Sequence, residues 1–497
     1  MKKRPNILLI TTDQQRWDHL GLQGTPGIRT PHLDALARDG LHCNRAYTPS
    51  PLCVPCRVSL LTGQYPSSHH AYSIGMTVDP FPTCTLPALL GEAGYHTKII
   101  GKTHFVSRKH EEWHMAGGRE PEPDFFRHWH GPYAGFQEIT ASTGHSMHND
   151  PTMHYRVFLE DAGVDYRPWF YAGRKDYNHH WAGSWDIPEE YHDTAWVGGV
   201  TEDYIAARGQ GDQPWFCWTS FQDPHEPFVC PEPWHGQVEA DALQPYEGYR
   251  EGEFDDRPEI YRRMLTRDFK PYNEGMGVPC SYGNPERDPR ASLQATAGMV
   301  TFIDHRVGRI RQKLAETGQL ENTIIIYTSD HGELHGHHGL WGKGLAAYED
   351  CQRIPLIVSA PGLLPAQGTT QALVNLVDLP RTFLGFAGVT VPQGMQGRDL
   401  GPLWRGEQDS VQDAVLIESR VTRQTLYQQT LVTARHKLVV YRDWNEGELY
   451  DLTNDPDQYT NLWSDGAHRE LREQLLLRLA RLHMEKEGEV HPRINFG

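Results

Sequence analysis

The chain has 497 residues, with 47 Lys and Arg against 64 Asp and Glu for a formal charge of −17. At roughly 100–200 residues per domain this length predicts two or three domains, or one large α/β unit with an appendage. A content of 38% hydrophobic and 22% charged residues excludes general disorder, and the acidic balance argues against a surface that holds nucleic acid or anionic lipid.

Met1-Lys2-Lys3-Arg4 carries the charge of a signal-peptide n-region. The apolar stretch at 7–10 is shorter than a secretory h-region and runs into Thr11-Thr12-Asp13, so 6–12 reads as the first strand and the protein as cytoplasmic. No apolar run approaches the roughly 20 residues that span a bilayer. Thr30, with Pro31 behind it, predicts a capped helix ending near Gly40. A second helix follows Pro55 and stops at Gly63, and a long one covers about 290–317 before Gly318. Further strands are expected at 97–100, 215–220, 323–328 and 355–359. Short buried strands alternating with helices predict an α/β fold, a mostly parallel central sheet flanked by helices.

Two long stretches, about 106–200 and 229–285, lack clear periodicity and are rich in Trp, His, Tyr, Pro and Gly, as functional loops are. From 406 the character changes. Residues 431–441 read as a strand interrupted by Lys437, 449–452 as another, and 468–486 as an amphipathic helix. The expected division is a large α/β domain over 1–405 and a smaller C-terminal α+β subdomain over 406–497, with antiparallel strands and a terminal helix.

Ligands of an open α/β sheet bind beyond the carboxyl ends of its strands. Asp13-Gln14 follows the first strand, Gly101-Lys102-Thr103-His104 the second, Asp223-Pro224-His225 the third and Asp330-His331-Gly332 the fourth. Carboxylates, histidines and a lysine thus converge on one edge. The segment Cys53-Val54-Pro55-Cys56-Arg57 admits several readings. A Cys-x-x-Cys pair at a helix start suits a redox couple; it is also half a zinc site, although no second pair with matching spacing exists; or it is two buried core thiols.

Cys53-x-Pro55-x-Arg57 with Thr62-Gly63 downstream resembles the signature of the formylglycine-dependent (type I) sulfatases of the alkaline phosphatase superfamily, close to the arylsulfatase and phosphonate monoester hydrolase group. The resemblance runs along nearly the whole chain, through Thr30-Pro31-His32-Leu33-Asp34, the four strand-end segments, Gly339-Leu340-Trp341-Gly342-Lys343 and Glu448-Leu449-Tyr450-Asp451-Leu452 with Asp455-Pro456. It implies an alkaline phosphatase-like fold and oxidation of Cys53 to Cα-formylglycine by a separate maturation enzyme. It further implies one divalent metal held by Asp13, Gln14, Cys53 in its modified form, Asp330 and His331. Arg57, Lys102, His104, His225 and Lys343 would complete the catalytic set. Oxygen-rich ligation suits a hard cation, Ca²⁺ first and Mg²⁺ or Mn²⁺ next. The chain departs from the family at Gln14, where a second aspartate is common, at Cys56 for serine or alanine, at Ile74 for asparagine and at His337 for an acidic residue.

The expected reaction is hydrolysis of an aryl or carbohydrate sulfate monoester to alcohol and inorganic sulfate. A phosphonate monoester or phosphodiester hydrolase with the same site is the alternative, and a thiol oxidoreductase or non-catalytic binding protein the different-class one. The expected partners are a small-molecule or saccharide sulfate ester and the maturation enzyme, with no nucleic acid and no membrane. The histidines at 128, 130, 179, 180, 335, 337 and 338 fit no trusted ligand spacing and are assigned no metal, while Trp169, Tyr171 and Trp181 suit either a substrate pocket or core packing.

Overall fold

Strand β1 (Asn6–Thr12) has no polar face, and a strand apolar on both faces must be covered on both. In the computed structural model, residues 4–75, 84–105, 124–143, 151–171, 182–209, 211–268, 281–284, 287–421 and 426–486 are described. Within them β1 lies inside a nine-stranded sheet with β2 (Leu41–Tyr47), β3 (His96–Lys102), β4 (Glu138–Ser142), β5 (Trp215–Ser220), β6 (Thr323–Ser329), β7 (Arg353–Ile354), β8 (Leu356–Ser359) and β9 (Gly368–Asn375). The run β6-β1-β5-β3-β4 is parallel throughout, in register Leu8↔Ile325, Leu8↔Cys217 and Lys98↔Cys217. Beyond β6, β8 runs antiparallel to β6 and β2, and β9 pairs parallel with β2.

Alternate residues of β1 enter opposite cores. Ile7 and Leu9 pack with Ile324, Ile326, Phe216 and Trp218 against α2 (Cys53–Thr62) on one face. Leu8 and Ile10 pack with Ile325, Tyr327 and Cys217 against α1 (Pro31–Arg38), α3 (Asp193–Arg208) and α4 (Pro289–Glu316) on the other. All four β1 aliphatics are fully buried, each contributing on the order of 2 kcal/mol relative to exposure. The fold is therefore the expected α/β type. Because β1, β3, β5 and β6 point the same way, their carboxyl ends lie along one edge.

Several elements differ from the sequence expectation. The stretch at 431–441 is a hairpin, β11 (Tyr427–Thr433) and β12 (His436–Tyr441), in a four-stranded antiparallel sheet with β10 (Ala414–Arg420) and β13 (Glu448–Asp451). Helix α5 (Arg469–Glu485) packs Leu475 and Leu479 onto it. Lys437 does not break β12. It is fully buried and reaches out of the sheet to the Glu349 carboxylate at 2.7 Å and the Ala347 carbonyl at 3.0 Å. The 16-residue helix α3 begins within the stretch 106–200 and runs past its end, hidden by Gly198-Gly199. A Cβ on Gly198 would strike Arg306 of α4, whose guanidinium pairs with Glu202 of α3. Thr30 precedes α1 without capping it; its hydroxyl donates to Asp34 at 2.9 Å and accepts from the Gly21 amide at 2.7 Å. Among the described residues no helix is long and apolar enough to cross a membrane.

Removing one partner of a buried ion pair leaves the other charge uncompensated. Lys437→Met is expected to cost about 3 kcal/mol, read as a lower urea midpoint. An unchanged midpoint would deny the pair a part in joining the C-terminal sheet to the loop before residue 349.

Candidate active site

Four parallel strand ends and one helix start meet around the Cys53 sulfur. Cys53 opens α2, which the loop after β2 carries to the same edge. Its Sγ lies 3.2 Å from His331 Nε2, 3.3 Å from Lys343 Nζ and 3.6 Å from Asp13 Oδ1. His104 and His225 also hydrogen-bond the thiol. Cys53, Asp13, Arg57, Lys102, Asp330 and His331 are all fully buried, and Lys343 and His225 are 5% and 8% exposed.

Local backbone conformation aims these groups. Gly101, at φ 88°, brings the end of β3 so close to the Ser220 carbonyl that a Cβ would clash, and Lys102 then turns in to pair with Asp13 Oδ2. Gln14 and His104 take the left-handed region at φ 69° and 50°, strain of a kind concentrated at functional positions. The Asp13 amide donates to the Asp223 carbonyl at 3.2 Å, tying the β1 and β5 ends together.

The charges compensate one another. Arg57 Nε donates to Asp330 Oδ2 at 2.9 Å, its Nη2 lies 3.5 Å from Asp13 Oδ2, and its Nη1 reaches Ser220 Oγ at 2.8 Å and the Lys102 carbonyl at 3.2 Å. Burial would push the Asp13 carboxyl up, but Lys102, Lys343, His225 and Arg57 hold it well below the usual carboxylate range. Burial and Asp13 likewise push the Cys53 thiol up, yet Lys343, Lys102 and His331 overcome both and hold it well below its ordinary value. Cys56 differs: burial, reinforced by Asp330, raises it well above, and its side chain packs in the core with Val54 and Val58. The two thiols are not joined.

The donors could hold a metal ion. One ligand atom each from Asp13, Cys53, Asp330 and His331 lies within 4.8 Å of the others. His331 Nδ1 donates to the Gly332 carbonyl at 2.9 Å, and Nε2 faces Asp13 and Asp330, 3.5 Å from each, whose charge favours a proton there; a bound cation would take that proton's place. The Gln14 side chain lies beside this group, its Oε1 2.6 Å from Lys343 Nζ, which is itself 3.3 Å from Cys53 Sγ.

Every site residue proposed from sequence is thus in one cluster. Sequence reasoning missed Ser220, which anchors Arg57, and Glu333, whose carboxylate accepts from Gln14. Glu333 had a usable signal, since it directly follows Asp330-His331-Gly332. Ile74 is 38% exposed. Of the remaining histidines, His335 packs beside Phe228 and Trp341, His337 holds Asp350 at 2.8 Å, and both nitrogens of His338 are taken by Glu253 and the Asp457 carbonyl. His128 and His130 are exposed, and His179 and His180 lie outside the described residues. Trp169 stacks on Tyr191, whereas Trp181 and the Tyr171 side chain lie outside the description.

These electrostatics can be read directly. In protein carrying the Cys53 thiol, iodoacetamide near neutral pH is expected to label Cys53 faster than Cys56. Lys343→Met should slow that labelling, because loss of the cation lets the Cys53 pKa climb back toward its ordinary value. Peptide mass spectrometry follows both sites, and faster labelling of Cys56 contradicts this assignment.

Comparison with known proteins bears on the whole chain. The profile of the sulfatase family matches residues 5–389, and that of the N-sulphoglucosamine sulphohydrolase C-terminal region matches residues 336–485. The chain is 29% identical over 479 residues to an arylsulfatase of Clostridium perfringens, covering 94% of this chain and 92% of that protein. It is 26% identical to an N-acetylglucosamine-6-O-sulfatase of Bacteroides thetaiotaomicron, covering 95% and 85%. In fold it is similar to the crystal structure of a phosphonate monoester hydrolase from Agrobacterium radiobacter, with a TM-score of 0.77, 24% identity and coverage of 99% and 100%. On its sequence match and its alkaline phosphatase-like architecture, the chain belongs to the sulfatase family, the sulfuric ester hydrolases.

Proposed function

We propose that this enzyme hydrolyses aryl or carbohydrate sulfate monoesters with Cys53, matured to Cα-formylglycine, as nucleophile and one divalent cation at Asp13, Gln14, residue 53, Asp330 and His331. The observation that carries the reading is the convergence of two carboxylates, three histidines, two lysines and an arginine around one sulfur at the N-terminus of α2. The curated relatives named arylsulfatase and N-acetylglucosamine-6-O-sulfatase support both substrate classes.

A plain thiol attacking sulfur has no easy internal route to release the sulfuryl group. Hydrated formylglycine supplies two geminal hydroxyls, one to attack sulfur and one that, deprotonated, restores the aldehyde and expels sulfate. A divalent cation held by Asp13, Gln14, residue 53, Asp330 and His331 would supply Lewis acidity at the nucleophile, and Ca²⁺ would suit these oxygen-rich donors ahead of Mg²⁺ or Mn²⁺. Lys102 and Lys343 oppose the charge on the sulfuryl oxygens, and fixed cations of this kind are commonly the largest catalytic contribution. Lys343 also faces the ester oxygen. Arg57 keeps Asp13 and Asp330 in place, since its guanidinium touches both.

His225 or His104 protonates the departing oxygen. Burial holds both imidazoles below their ordinary value, and an anionic sulfate beside them favours the protonated form. His225 is oriented by its Nδ1, 2.6 Å from the Glu226 carbonyl, with its ring against the Cys53 side chain.

A phosphonate monoester or phosphodiester hydrolase is the second reading, supported by Gln14, since by resemblance a glutamine fills this place in the phosphonate monoester hydrolase branch, and by the likeness in fold to the Agrobacterium enzyme. Lys102-Thr103-His104 favours sulfate, because the phosphonate branch tends to lack that pair. A comparison of kcat/KM for an aryl sulfate against an aryl phosphonate decides, and sulfate is expected to be preferred.

Cys53→Ala is expected to lower activity roughly 10⁴-fold or more, the scale of removing a nucleophile, while Cys56→Ser keeps most of it. The peptide containing residue 53 should show the mass change of CH₂SH becoming CHO, and residue 56 should not. Equal loss in both variants, with no aldehyde at either position, overturns the mechanism. Chelation should abolish turnover, and added Ca²⁺ should restore it; full activity after exhaustive chelation contradicts the cation's part.

A further inference from the structure

Gln14 is the only side-chain amide in the proposed cation site. A carboxylate can offer either of its oxygens to a cation, but an amide turned over presents an NH₂ group that repels one. Its orientation must therefore be held by neighbours. Glu333, 2% exposed, accepts from Gln14 Nε2. On the other side Lys343 Nζ donates to Gln14 Oε1 at 2.6 Å. With an acceptor at one end and a donor at the other, a single amide orientation satisfies both.

The Glu333 carboxylate does more than face Gln14. Its Oε1 accepts from the backbone amides of Gly342 at 2.5 Å and His335 at 3.2 Å. Gly342 directly precedes Lys343, so one carboxylate grips the ligand amide and the backbone beside the lysine that opposes it. The backbone of Glu333 is in turn fixed, because Arg16 Nη1 donates to its carbonyl at 2.8 Å.

We propose that Glu333 is a positioning residue of the cation site, whose carboxylate sets the Gln14 amide with Oε1 toward the cation and steadies the Lys343 loop through the Gly342 amide. This rests on the cation site proposed above. Glu333 acts through Gln14 and Lys343. Outer partners of this kind typically change metal affinity by about 10–100-fold when lost.

The test is calorimetric titration of ion-stripped, full-length protein with CaCl₂. Glu333→Gln keeps the size of the side chain but can offer Gln14 either a donor or an acceptor, so both amide orientations populate. The expected result is Ca²⁺ binding weakened about ten-fold or more. Gln14→Glu removes the orientation problem, since its carboxylate is symmetric and can accept from the amide introduced by Glu333→Gln. In the Gln14→Glu background, Glu333→Gln should therefore weaken binding no further, or should tighten it. Equal weakening in both backgrounds marks a bracing role alone and overturns the proposal, as does no weakening in either. If Glu333→Gln alone does not fold, recovery of folded, Ca²⁺-binding protein on adding Gln14→Glu supports the proposal, and failure to recover overturns it. Asp330→Asn separates the two readings. Unchanged Ca²⁺ affinity in that variant removes the cation site itself and this inference with it, whereas a loss there beside an unaffected Glu333→Gln removes only the role of Glu333.

Discussion

Asp13 and Asp330 are two fully buried carboxylates side by side, and the rest of the site follows from the need to neutralise them. Uncompensated charge in a protein interior costs several kcal/mol per ion. Here Arg57 spans both carboxylates, Lys102 pairs with Asp13, and Lys343 stands 3.8 Å from it. The same cations that make these carboxylates tolerable hold the Cys53 thiol well below its ordinary value and would oppose the charge of an arriving sulfate ester. Stability and catalysis use one electrostatic arrangement, so a change to any single member exposes the charge of another.

That arrangement depends on parts of the fold far from it in sequence. The loop that carries Lys343 crosses between two bodies of structure. Ser281 Oγ donates to the Lys343 carbonyl at 2.7 Å, Ser419 of β10 donates to the Gly344 carbonyl at 2.6 Å, and Lys437 of β12 holds Glu349 and the Ala347 carbonyl. A buried Glu448 on β13 accepts the hydroxyls of Tyr261, Tyr441 and Tyr450, fastening the C-terminal sheet to the helix that contains Tyr261. The C-terminal sheet thus acts as the wall against which the lysine loop is set.

Much of this was legible in the chain itself. Runs such as 7–10 and 323–328 are apolar on both faces, and that pattern admits only a strand covered on both sides. Asp13, Lys102, His225 and Asp330 could be grouped because parallel strands deliver their carboxyl ends to one edge. Cys53-x-Pro55-x-Arg57 carried a family resemblance that no periodicity argument could supply. Helix α3 was illegible because Gly198-Gly199 serves a close approach to Arg306 of α4, a contact across more than 100 positions. Lys437 looked like a defect in a strand, since nothing nearby in sequence announces Glu349.

The sequence by itself determined the strand-and-helix alternation, the edge on which the chemistry collects and the residue types that collect there, because hydrophobic period and turn residues act locally. Only the tertiary structure decided which charges face which. The span of Arg57 over two carboxylates, the approach of His331 to Asp13, the separation of Cys56 from Cys53 in character, and the grip of Glu333 on Gln14 and Gly342 all depend on distances between segments that sequence order does not encode. Electrostatic compensation and hydrogen-bond direction are properties of the assembled interior, where water is excluded and each donor must find its acceptor.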